Sequence, residues 1–168
     1  TAAVTMVGIN IGAGQRDRAR RIAWTSALIS VLAVAAIGAA AAAWPEAWMR
    51  LFSTEPAVLR TGVDYLHRVA PFYAFIGLGM ALYFASQGAG NVTWPFSAGL
   101  VRLATVLVAG GYWVVAKDGS LAGLFWIVAA SQVLFGSLTA IGVAWQRTPA
   151  FAKAMASPAP MIGPEPIA

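Results

Sequence analysis

Long apolar runs broken by short polar clusters set the pattern of this chain. The first run ends at Gly12-Ala13-Gly14, and Arg16, Arg18, Arg20 and Arg21 follow at once. No further charge occurs until Glu46. Uncharged apolar runs of about 20 residues have the length that crosses a bilayer as a helix. The runs predict helices over about 1–13, 22–44, 69–88, 94–115 and 121–146. Gly14 suits the end of the first, because glycine accepts the left-handed geometry of a helix cap. Pro45 stops the second, and Pro71 predicts a bend near the start of the third. Glu46 to Arg68 is a polar interlude, and its Trp48, Leu51 and Phe52 suit a piece lying in the membrane interface. Within it, Thr54-Glu55-Pro56 predicts a helix start, and Asp64 and Arg68 can pair on one helix face. Residues 148–168, rich in Pro and Ala, predict a disordered tail.

The first run is short for a span. About 14 residues of helix rise only about 21 Å, against a hydrocarbon core of roughly 30 Å. With no basic leader ahead of it, the run reads as the end of a helix that starts upstream. The expectation is the C-terminal part of a longer protein, whose missing N-terminal part is a partner of this chain.

Composition narrows the class. The chain has 168 residues, 60% hydrophobic and only 10% charged, with mean hydropathy +0.73. A soluble domain is about a quarter charged. The fold class is therefore all-α integral membrane, with four complete transmembrane helices plus the end of a fifth. Tryptophans support the lengths. Trp24 and Trp44 stand 20 positions apart, and Trp94–Trp113 and Trp126–Trp145 stand 19 apart. Such spacings are roughly 30 Å of helix, and tryptophan favours both membrane interfaces.

The net charge is +5. In a soluble protein that would suggest nucleic acid. Here the positive residues flank apolar spans, so the partner is the lipid bilayer and not nucleic acid. Alternating sides place Arg16, Arg18, Arg20, Arg21, Arg147 and Lys153 together, and Arg50, Arg60, Arg68 and Lys117 opposite. The denser side is expected to be cytoplasmic, tail included, in an inner (plasma) membrane.

No enzyme constellation is present. Cysteine is absent, and the single histidine, His67, reads as a surface residue in a helix-entry charge cluster. No carboxylate falls inside a predicted span, although an ion-coupled pump normally uses one there. Tyr73, Met80, Tyr83 and Gln87, spaced by seven, three and four, share one helix face. Aromatic faces attract organic cations, methionine adapts to varied shapes, and Gln87 offers donor and acceptor. That face is a candidate wall for a substrate cavity; ordinary interhelix packing is the alternative. Arg102 is a candidate cavity or gate residue within a span, or a snorkelling anchor. Gly77, Ala81, Ala85 and Ala89, and Gly136, Ala140 and Ala144, predict close packing seams. Ser30, Thr105, Ser131 and Gln132 predict helix–helix hydrogen bonds.

A family resemblance adds to this. The run Met6-Val7-Gly8-Ile9-Asn10-Ile11-Gly12-Ala13-Gly14-Gln15, a basic loop and an alanine-rich helix resemble the multidrug and toxic compound extrusion (MATE) transporters. So do Leu51-Phe52, Tyr65-Leu66, Ala70-Pro71, and Gln87-Gly88-Ala89-Gly90 followed by Pro95. The resemblance covers about residues 1–147. It implies a twelve-helix protein in two six-helix lobes, of which this chain is the end of helix eight through helix twelve. It further implies export of organic cations and drugs in exchange for protons or sodium, with no other cofactor, by alternating access. The first motif usually reads Gly-Gln-Asn, where this chain has Gly8-Ile9-Asn10. Some members carry an acid on the tenth helix, where this chain has Gly79-Met80-Ala81. The coupling acid is then expected in the missing part. The alternatives are a lipid-linked oligosaccharide flippase of the same superfamily and a non-transporting membrane scaffold module.

Overall fold

The structure, a computed structural model, describes residues 2–117 and 119–145. Asp118, Arg147, Lys153 and the predicted tail lie outside the described residues. Helices α1 (Ala2–Gly12) and α2 (Arg16–Ala43) are followed by a short α3 (Pro45–Arg50) and by α4 (Pro56–Val69). A single 3-10 turn, Ala70–Phe72, joins α4 to α5 (Tyr73–Gly88). Next come α6 (Thr93–Thr105), a π-helical turn at Val106–Gly110, α7 (Gly111–Lys117) and α8 (Leu121–Trp145). Among the described residues, Arg16–Ala43, Pro56–Gly88, Thr93–Lys117 and Leu121–Trp145 are long and apolar enough to cross a membrane.

Two elements differ from the sequence pattern, and one between them follows it. The predicted basic loop is mostly helix: α2 begins at Arg16, not Ile22. Arginine is a good helix former and nothing after Gly14 breaks the helix, so the cluster forms the first turns of α2. The polar interlude contains the helix that Thr54-Glu55-Pro56 predicts. Glu55 precedes α4 and Pro56 opens it, where the missing N–H costs nothing. Asp64 and Arg68 pair across one turn of α4. Polarity there marks an exposed helix face rather than a loop. Finally, the helix expected from Val69 belongs to one continuous stretch from Pro56, which tightens at Pro71 instead of ending.

The two Gly-Ala-Gly turns share one backbone geometry. Gly14 and Gly90 both have positive φ, 73° and 72°. The Gly14 and Gln15 amides donate to the Ile11 and Asn10 carbonyls. The Gly90 and Asn91 amides donate to Gln87 and Ser86 in the same way. Both are Schellman-type caps, which glycine permits because it lacks a Cβ. The short sequence echo is therefore a repeated cap at one end of the bundle.

Helix α5 lies at the centre. A methyl built on Gly77 would stand 2.9 Å from the Ser30 carbonyl oxygen of α2. One built on Gly38 of α2 would run into the Ala70 carbonyl. The backbones approach this closely because the contact residues are small. Gly77, Ala81 and Ala85 are buried, and Ala89 is half-buried. On another side, Gly136 of α8 meets the Phe75 backbone, and Ala140 and Ala144 are half-buried. Helix α1 crosses α5 where Gly8 and Gly88 face each other. Helix α6 lies against α8, with Gly99 near Phe135 and Trp94 donating its indole N–H to the Leu138 carbonyl at 2.8 Å.

Candidate functional site

The faces of α5 define the site by subtraction. Gly77, Ala81 and Ala85 face α2, while Gly79 and Leu82 are also buried, Gly79 against Phe135 of α8. What remains is the face carrying Tyr73, Met80, Tyr83 and Gln87. Met80 and Gln87 are exposed, and Tyr73 and Tyr83 are half-buried. The Tyr83 ring meets Phe84 edge-on at 5.8 Å. Tyr73 interacts with Tyr65, whose ring stacks edge-on against Phe125 of α8 at 5.2 Å. The helix places the four residues in one row, but Tyr73 is engaged with neighbouring aromatics at the far end of it. The bundle leaves Met80, Tyr83 and Gln87 as an aromatic, polarizable and amide-bearing strip that neither α2 nor α8 covers.

Arg102 sits elsewhere, on α6 at the junction with α8. Its guanidinium lies over the Phe135 ring, 5.7 Å from the centroid. Among the described residues it forms no ion pair. The Phe135 ring also fills the space beside Gly79 and Gly99, so it bridges α5, α6 and α8. The cation is stabilised by the ring quadrupole in a setting with no carboxylate on α5 to α8 among the described residues. The π-helical turn at Val106–Gly110 follows about one turn later. Phe135 connects Arg102 to α5 at Gly79, the residue before Met80.

The other intramembrane polar residues behave differently from one another. Ser30 bonds between helices, to the Gly77 carbonyl at 3.0 Å. Thr105 and Ser131 bond back within their own helices, to Val101 at 2.8 Å and Val128 at 2.7 Å. Their short hydroxyls reach the preceding turn more easily than a neighbouring helix. Gln132 is 3% exposed, and its Oε1 has no partner among the described residues. An unpaired buried acceptor is costly, which makes Gln132 a residue to explain. Its signal was legible as an amide in the middle of an apolar helix. Phe135 had no such signal, since one phenylalanine among many apolar residues carries no pattern.

A cleft of about 690 Å³ lies at the opposite end from the Gly14 and Gly90 caps, between Glu46, Arg60, Asp64 and Phe125. It contains none of Tyr73, Met80, Tyr83, Gln87 or Arg102. It is a shallow opening between α3, α4 and the start of α8, so its size does not make it the substrate site.

Long apolar helices packed through small residues define a multi-pass membrane protein. The MatE family model matches residues 1–113, and the chain belongs to the MatE family. Membership implies a transporter of the MATE superfamily, whose members are transporters rather than enzymes. No curated protein and no solved structure matches the chain.

Proposed function

We propose that the chain is part of the C-terminal lobe of a secondary active efflux transporter exporting organic cations and drugs by ion-coupled antiport with alternating access. The observation that carries this reading is the uncovered strip of α5. Met80 and Gln87 are exposed and Tyr83 is half-buried, while Gly77, Gly79, Ala81 and Ala85 on the other faces are buried. Aromatic faces bind organic cations, and a methionine accommodates varied apolar shapes. The coupling ion is a proton or sodium, and its carboxylate comes from a part of the protein outside this chain. The inner (plasma) membrane is the site, with the Arg16–Arg21 end cytoplasmic, as the charge distribution supports.

In the full-length transporter, Tyr83→Ala should change the spectrum of cationic dyes exported at unchanged protein level. Unaltered resistance to every dye would remove the strip from the pathway. The flippase reading is favoured by Arg102, a cation within a span that has no carboxylate partner among the described residues. A lipid-linked oligosaccharide carries phosphate, which a guanidinium recognises. Loss of lipid-linked sugar translocation in Arg102→Leu, with dye export intact, would favour that second reading.

A further inference from the structure

We propose that α3 lies in the headgroup region of the bilayer, at the end opposite the Gly14 and Gly90 caps, with Trp48, Leu51 and Phe52 inserted at the top of the acyl chains. The proposal rests on the membrane-spanning class and not on the transport reading above. From Ile22 to Ala43 the apolar part of α2 rises about 33 Å, against a hydrocarbon core of roughly 30 Å. Pro45, which opens α3, therefore stands at the edge of the core. Helix α3 has 6 residues, about 9 Å of rise, too short to carry the chain far from that boundary.

The sides of α3 differ in kind. Pro45 is buried, and Met49 packs over Gly62 of α4. Glu46 and Arg50, one turn apart, pair at 3.6 Å with both side chains largely exposed, and both line the open cleft between α3, α4 and α8. Trp48, Leu51 and Phe52 take the remaining side, spaced as i, i+3 and i+4 at the end of the helix. Leu51 is 77% exposed and Phe52 78%. Three large apolar side chains together on the surface form a patch, unlike the single exposed residues that every protein carries. The turn after α3 holds them in place. The Phe52 and Ser53 amides both donate to the Met49 carbonyl at 3.0 Å, and the Glu55 amide donates to the Ser53 hydroxyl at 3.1 Å.

A short helix with a charged face toward solvent and an uncovered apolar face has the chemistry of an element lying in the interface plane. Tryptophan suits that depth, because its indole N–H meets headgroups while its ring meets acyl chains. Continuity favours the bilayer over a protein partner. Leu28, Leu32, Ala36, Ala39 and Ala43 form one uncovered side of α2, which as part of a span meets lipid. Trp44 and the α3 patch carry exposed apolar surface past the end of that span without a break. The sequence shows three apolar residues in a polar interlude; the fold shows that they share a side which no described helix covers.

The test is site-directed spin labelling of the full-length protein reconstituted in phosphatidylcholine liposomes. Single nitroxides are placed on Leu51→Cys, on Phe52→Cys and, as the solvated reference, on Glu46→Cys, in a background otherwise free of cysteine. Collisions with oxygen, which concentrates in hydrocarbon, and with a water-soluble nickel chelate report the depth of each. Leu51→Cys and Phe52→Cys should favour oxygen and read roughly 5–10 Å into the headgroup/acyl boundary. Glu46→Cys should favour nickel. The two apolar positions report independently, so either decides the matter if the other variant fails to fold. Nickel preference at either one would overturn the proposal by putting the patch in water. Oxygen preference at Glu46→Cys would overturn it by sinking the charged face into hydrocarbon. Low collision with both reagents at Leu51→Cys and Phe52→Cys would overturn it as well, since a second copy or the rest of the protein then covers the patch.

Discussion

Gln132 shows at the scale of one residue how burial changes a reading. An amide in an apolar helix suggests glue between helices, but its Oε1 is buried without a partner among the described residues. Leaving an acceptor unpaired costs about 1–3 kcal/mol, whereas an apolar group of similar shape avoids the penalty. Gln132→Leu should therefore melt at or above the wild-type temperature in detergent. A clear fall would show that the oxygen is satisfied in solution. The tryptophans make a related point. Trp44, Trp126 and Trp145 are exposed. Trp94 and Trp113 instead donate their indole N–H to the Leu138 and Ser120 carbonyls, and that of Trp24 is buried. The regular spacing was legible in the sequence. Which indoles face the protein was not, because that depends on the neighbouring helix.

At the scale of the element, the ends of helices carry the information. The Gly14 and Gly90 caps have the same φ and the same bonding pattern. A Cβ at a left-handed residue costs roughly 1–2 kcal/mol. Gly14→Ala and Gly90→Ala should each lower stability by about that much, measured by denaturation in mixed micelles. Gly12→Ala is the control, since Gly12 ends α1 without positive φ and a Cβ there meets nothing within 4 Å. It should be neutral or stabilising, because alanine exceeds glycine in helix propensity. Equal losses at all three positions would remove the cap explanation. The start of α2 was misplaced by charge alone. Polar residues mark exposure, and an exposed first turn of helix is as polar as a loop.

At the scale of the whole molecule, α5 is central because it is small on more than one side. Its glycines and alanines admit α2, α1 and the ring of Phe135 close to its axis. The residues too large for those seams are left on the remaining face, and they are the candidate substrate strip. Alternation of the spans places the Gly14 and Gly90 caps at one end and α3 with α4 at the other. If the first end is cytoplasmic, Arg18→Cys in the full-length protein should resist membrane-impermeant thiol reagents in intact cells. Rapid labelling would invert the orientation. The 168 residues contain no other cysteine, and the full-length protein without the Arg18→Cys change is the background control.

The sequence by itself determined the class, the apolar spans and the small-residue seams, because hydropathy and residue size act locally. It also held the signal for the family, in the ordered Gly-Ala-Gly motifs at the ends of α1 and α5. Tertiary structure alone decided which face of α5 stays uncovered, that Arg102 rests on Phe135, and that Gln132, Arg20 and Trp24 hold polar atoms with no partner among the described residues. Those facts depend on which helices become neighbours. Contact across helices is set by packing many residues apart, and no local pattern along one helix records it.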